Sequence, residues 1–155
     1  MLLTEETKNK LKRLLQNATD KLYLNDLNLM SRTGLERSVQ FRLGLYLHDE
    51  LSSTDEFKDL DLDVEYTKNG QGSKILDSKP NGAQPDIILH KREHENPTNE
   101  NNYLVIELKG WWDGRSREDD VTKLTQFVIK EGVYKFALGA LIELGTTTAE
   151  ISYYE

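Results

Sequence analysis

Two short apolar stretches, residues 86–91 (DIILHK) and 103–109 (YLVIELK), flank a connection, residues 92–102, that is polar throughout apart from Pro97. Runs of Ile, Leu and Val of this length, separated by a polar loop, read as the two strands of a hairpin. That pairing constrains the chain more than any other feature, because it fixes which side chains meet. With the turn of the hairpin centred between Asn96 and Pro97, near the middle of the connection, counting outward sets Asp86 opposite Glu107. Antiparallel partners on one sheet face have Cβ atoms roughly 4.5–5.5 Å apart. Lys109, two residues beyond Glu107, falls on the same face by the two-residue period of a strand. Asp86, Glu107 and Lys109 are therefore expected to converge at one end of a hairpin whose other side chains are mostly aliphatic.

Two carboxylates held that close repel each other, a poor structural choice unless a cation lies between them. A hard divalent ion such as Mg²⁺ takes oxygen ligands, often one or two carboxylates, and completes its shell with water and substrate phosphate. A neighbouring ammonium can hold an attacking water or offset charge developing on phosphorus. The chemistry that calls for this trio is phosphodiester hydrolysis. The plain alternative is a surface salt bridge from Lys109 to Glu107 or Asp86 at a strand end.

The rest of the chain supplies a frame for the hairpin. Residues 4–24 place Leu11, Leu14, Leu15 and Leu22 at helical spacing. Residues 34–51 repeat Leu35, Val39, Leu43 and Leu47 at four-residue steps, so both segments read as amphipathic helices, parted by the polar stretch 25–33. Residues 61–67 (DLDVEYT) alternate, with Leu62, Val64 and Tyr66 on one face and Asp63 and Glu65 on the other. A glycine-containing loop, 69–83, follows, with Pro80-Asn81-Gly82 as a turn signal. A third helix spans 117–130, with Ser116 as its cap, Asp119 three residues on, and Val121, Leu124 and Val128 as its buried stripe. Residues 136–144 and 150–153 read as the last two strands. The order α-α-β-β-β-α-β-β describes an α/β domain with helices packed on a central mixed sheet of about five strands. Residues 1–155 form a single domain in this reading, with 1–30 a helical extension at the N-terminus.

Gln84-Pro85-Asp86 followed by Glu107-Leu108-Lys109 resembles the motif of the PD-(D/E)XK nuclease superfamily, and the order of elements from 34 to 144 is similar to that of its members. The resemblance implies a restriction-endonuclease-like core. It implies an Mg²⁺-dependent nuclease, with Mn²⁺ as a substitute, acting on DNA in repair, restriction, phage-related or defence roles. Asp86 and Glu107 would then hold the metal and Lys109 would complete the catalytic trio. Many members carry a further metal-binding glutamate on the first core helix, which makes Glu36 the candidate here. The helix after the motif often brings a polar residue to the site, a place that Lys123 or Gln126 could fill. A member that keeps the fold without catalysis would serve instead as a nucleic-acid-binding or protein-interaction module. A third reading is a small metal-dependent phosphoesterase unrelated to nucleic acid.

Composition narrows the field further. The chain has no cysteine, which excludes disulfides, zinc–thiolate sites and a cysteine nucleophile, and suits a reducing cytoplasm. No apolar run approaches the ~20 residues of a membrane span. The formal net charge of -7 argues against non-specific coating of nucleic acid, which depends on lysine and arginine displacing counterions. Between residues 66 and 92, however, Lys68, Lys74, Lys79, Lys91 and Arg92 outnumber Asp77 and Asp86, and Arg115 and Arg117 follow the motif, so a modest basic rim is expected. His48, His90 and His94 lack zinc-ligand spacing, although His90 shares the Asp86 face. Asp119 and Asp120 are accounted for by the dipole of the helix they begin. Trp111-Trp112 could stack on bases, cover the core, or join Tyr153-Tyr154 as a contact between two copies. A homodimer suits a domain that cuts one strand per site.

Overall fold

The computed structural model describes residues 3–66, 68–69, 72–78, 82–92 and 101–155. Three helices lead, α1 (Glu5–Asn25), α2 (Leu27–Met30) and α3 (Glu36–Ser52). Strand β1 (Asp61–Val64) is followed by the two-residue strands β2 (Lys68–Asn69) and β3 (Gly72–Ser73). Then come β4 (Ile87–His90), β5 (Asn102–Gly110), helix α4 (Arg117–Val128), β6 (Leu138–Leu144) and β7 (Ala149–Tyr154). The five longer strands form one mixed sheet in the order β1-β4-β5-β6-β7, and β2 pairs with β3 apart from it. The coarse expectation, an α/β fold with a five-stranded mixed sheet between helices, matches this architecture. The expected order lacked α2, which forms inside the polar stretch 25–33, and the β2–β3 pair, which begins at Lys68 and runs into the loop 69–83.

The hairpin register follows the loop midpoint. Ile87 faces Ile106, Ile88 faces Val105 and Leu89 faces Leu104, and a bulge then shifts His90 opposite Asn102. Residues 93–100 of the connection, with His94, lie outside the described residues, as do Lys79, Pro80 and Asn81. β5 pairs with β6 in parallel, which requires a crossover, and α4 supplies it. The other pairings, β1 with β4 and β6 with β7, are antiparallel.

The period of two sorts each strand between two cores. On one face, Ile87, Leu89, Leu104, Ile106 and Leu108 pack under α3 and α1, which contribute Val39, Leu43 and Leu47 and Leu11, Leu15 and Leu22. Each such fully buried side chain contributes roughly 1.5–3 kcal/mol relative to exposure, so α1 is integral to this layer. Thr4 caps it by accepting a hydrogen bond from the Thr7 amide (3.1 Å). On the other face, Ile88, Val105 and Leu141 pack under Leu124, Phe127 and Val128 of α4. Ser116 caps α4, accepting from the Glu118 amide at 3.2 Å.

The first strand departs from simple alternation. Glu65 adopts φ 50, a left-handed conformation that ends β1 and breaks the two-residue period. Leu62 packs with the α1/α3 core as expected. Tyr66, expected beside it, turns instead to the α4 core and meets His90 edge-on at 4.7 Å. At the far end of β5, Gly110 is required by close approach, because a Cβ there would lie 2.5 Å from the Trp112 ring. The Trp111 indole N–H donates to the Met30 carbonyl (2.8 Å), tying α2 to the end of β5. Tyr153 and Tyr154 pack against the two cores. Among the described residues, no helix is long and apolar enough to cross a membrane.

Candidate functional site

Asp86 directly precedes β4, so the hairpin register carries it to Glu107 on the α4 face, in line with Ile88 and Val105. Its carboxylate is held from two sides. The Leu108 amide donates to Oδ2 at 2.7 Å and Gln40 Nε2 donates to Oδ1 at 3.0 Å. Gln40 comes from α3, where it lies one turn beyond Glu36 and is 4% exposed within an otherwise apolar stripe. The Glu65 amide donates to the Asp86 carbonyl (2.9 Å), so the irregular end of β1 also fixes this position.

Glu107 is 3% exposed, an unusual place for a carboxylate. The Lys123 ammonium, from α4, lies 2.9 Å from Oε1. Its direction falls short of a hydrogen bond, so Oε1 is a buried acceptor with no well-aimed donor. Lys123 instead donates to the Gln84 carbonyl at 2.6 Å. Burial, together with the Asp86 charge, drives the Glu107 carboxyl well above the usual carboxylate range, against the opposing pull of Lys123. Burial likewise raises Asp86, opposed by the Leu108 amide and by Lys123.

Lys109 shares the face of Glu107, but its ammonium reaches neither Glu107 nor Asp86 as a salt-bridge partner. It lies 3.8 Å from Asp113 Oδ2 and 3.9 Å from Asp120 Oδ2, again without a hydrogen bond. Asp113 is claimed by Arg115, which holds it down to about 2. Asp120 is therefore more than a helix-dipole residue. It lines the same cleft as Asp86 and Glu107 and is raised by burial against the attraction of Lys109 and Lys123.

That cleft has a volume of about 240 Å³ and is walled almost wholly by polar groups. Five carboxylates, Glu36, Glu65, Asp86, Glu107 and Asp120, face two cations, Arg115 and Lys123. Glu36 reaches it from the first turn of α3, raised by burial and by the Asp86 charge while Arg115 acts in the opposite sense. The structure thus gathers Glu36, Asp86, Glu107 and Lys123 at one opening. Lys109 lies behind Asp120, against a neighbouring cavity that Asp113 and Glu143 share. Gln126 does not line the cleft; its side chain accepts from the hydroxyl (2.8 Å) and amide (3.2 Å) of Ser78.

Gln40, Asp120 and Arg115 are the additions that strand and motif reasoning missed. The signal for Gln40 was present, an amide four residues after Glu36 between two buried positions. Asp120 has a similar one, three residues before Lys123 and so on the same helix face. Among the described residues, no group of three histidine or acidic side chains lies close enough to hold a metal ion. Mg²⁺ needs only one or two protein carboxylates, with water and phosphate filling its shell. The Asp86–Glu107 pair, with one undonated buried oxygen, fits that smaller donor set.

A second charged cluster occupies the other end of the same face. His90 Nε2 lies 2.7 Å from Asp63 Oδ2, and Arg92 Nε donates to the same oxygen at 2.8 Å while its Nη2 donates to Oδ1. Burial alone would raise Asp63, but these donors outweigh it and hold the carboxyl low. Burial lowers His90 despite Asp63. Lys74, 3% exposed, sits 4.6 Å from the centre of the Tyr66 ring and is lowered by burial to about 8. Lys74 is thus internal and the half-exposed Arg92 is committed to Asp63, so the expected basic rim is smaller than the sequence count. No family model, curated protein or solved structure matches this chain.

Proposed function

We propose that the chain is a metal-dependent nuclease of the PD-(D/E)XK type, with a restriction-endonuclease-like core, that hydrolyses phosphodiester bonds of DNA. The observation that carries the reading is Glu107. A carboxylate buried to 3% exposure beside Asp86, with an oxygen lacking any aimed donor, costs stability that the charge of Lys123 offsets only in part. Such a group is explained by a cation that the site is built to take.

Asp86 and Glu107 would hold Mg²⁺, or Mn²⁺ in its place, with Glu36 lining the same cleft. When bound, the ion supplies Lewis-acid activation of a phosphoryl oxygen and of water. Gln40 and the Leu108 amide keep the Asp86 carboxylate aimed. Lys109, whose ammonium lies beside Asp113 and Asp120 without a hydrogen bond, would have to turn from them toward the Glu107 side of the cleft to orient water and offset charge developing on phosphorus. Arg115 at the cleft wall can meet a phosphate oxygen. Cutting both strands calls for two copies, and the half-exposed Trp111 remains open for that contact.

A second reading, a nuclease-fold binding module without catalysis, draws on Lys123, which gives Glu107 a counter-charge without any metal. A nuclease panel separates the two: supercoiled, linear, branched and single-stranded DNA, and RNA, with Mg²⁺ and with Mn²⁺. Metal-dependent cleavage that Asp86→Asn abolishes is the expected result. Absence of cleavage on every substrate, or cleavage undiminished in Asp86→Asn, would reject catalysis at this site.

A further inference from the structure

Helix α4 answers the charges of β5 in a crossed pattern. Glu107 and Lys109, two residues apart on the strand, meet Lys123 and Asp120, three residues apart on the helix. Each strand charge has its opposite on α4, so the helix neutralises the motif from within the chain. The Lys123 side chain is only 13% exposed, and its short approach to Glu107 is accompanied by a true hydrogen bond to the Gln84 carbonyl.

We propose that Lys123 is the resident counter-ion of the Asp86–Glu107 pair, and that a divalent cation enters by displacing its ammonium. The inference rests on the reading of that pair as a metal site. An ammonium and a divalent ion cannot both sit within a few ångströms of the same carboxylate without strong repulsion in a poorly hydrated cleft. The 2.9 Å contact to Oε1 therefore occupies the oxygen that the metal would need. The lysine stem is flexible, and the hydrogen bond that its ammonium already makes to the Gln84 carbonyl is a contact outside the carboxylate pair that it can keep as it swings off Oε1. A monovalent ion offers no more charge than the lysine it must replace, so the arrangement selects for divalent ions. It also spares the protein two uncompensated buried carboxylates when no metal is bound.

Calorimetric Mn²⁺ titration of the full chain tests this, with Lys123→Met and Lys123→Arg beside the parent and folding checked by circular dichroism. Removing the competing charge should tighten Mn²⁺ binding roughly tenfold or more, whereas Lys123→Arg should stay at parent affinity. Adding Asp86→Asn to Lys123→Met should abolish the gain, which locates the ion at the pair. Should Lys123→Met fail to fold, Lys123→Gln carries the same comparison. Equal or weaker Mn²⁺ binding by the charge-removed variant overturns the proposal while leaving the metal site standing. Absence of Mn²⁺ binding by both parent and variant overturns the proposal and the metal-site reading together.

Discussion

Two charged clusters lie at opposite ends of one row of side chains, Asp86, Ile88 and His90, on the α4 face of the sheet. At the His90 end, Asp63 has donors on both oxygens, from His90 and Arg92. At the Asp86 end, the neighbouring Glu107 has an oxygen without an aimed donor, and the Lys109 ammonium has no hydrogen bond at all. The strand, the face and the types of residue are alike. The difference is satisfaction: a buried polar network with every member bonded rigidifies a fold, whereas one with orphans is retained for another use. The Asp63 cluster reads as structure and the Asp86 cluster as a site.

Four substitutions can break or sharpen that contrast. The largest effect is expected at Lys109→Ala, which should lower single-turnover cleavage by ~10²–10³ while calorimetric Mn²⁺ affinity stays at the parent value. Parent-rate cleavage by this variant would remove Lys109 from the chemistry. Asp63→Ala should act in the opposite way, costing about 2–3 kcal/mol in urea unfolding because His90 and Arg92 lose their shared acceptor. Its Mn²⁺ affinity should not change; a weakened affinity would join the two clusters into one functional unit.

The last comparison is in pH dependence, where the clusters have opposite signs. The folded-state pKa of Glu107 is raised, so its contribution to stability is complete below the ordinary glutamate value and is lost as pH rises through the folded value. Glu107→Gln should therefore gain on the parent with rising pH in metal-free unfolding from pH 5 to 9. The gain should be about 1.4 kcal/mol for each pH step of one between the ordinary and the folded value. For Asp63 the folded pKa is lowered, so its contribution is present above the ordinary aspartate value and lost as pH falls through the folded one. Asp63→Asn should flatten the acid limb alone. Equal pH slopes in Glu107→Gln and the parent would show that Glu107 is not strained.

Local periodicity was enough for much of this. The two-residue period and the loop midpoint placed Asp86 and Glu107 face to face, because an antiparallel register is set by the few residues of its own connection. Apolar spacing marked the three main helices, and Ser116 marked the start of α4, since both depend on neighbours within a turn. The Glu65 conformation was not legible: a left-handed residue without glycine reverses the face of Tyr66 with no warning in the alternation.

The partners of the charges were decided by the tertiary fold. Lys123 stands fourteen positions after Lys109 in the sequence, and only the crossover from β5 through α4 to the parallel strand β6 brings it onto Glu107. The same packing puts Asp120 beside Lys109 and Gln40 against Asp86. Along the regular strands β4 and β5 the sequence alone determined which residues share a face, because backbone geometry imposes a period on every extended segment. Which ammonium meets which carboxylate depends on how a helix is rotated and seated over the sheet. That seating is chosen by the fit of Leu124, Phe127 and Val128 into the apolar row beneath them, a matter of shape that no spacing of charged residues encodes.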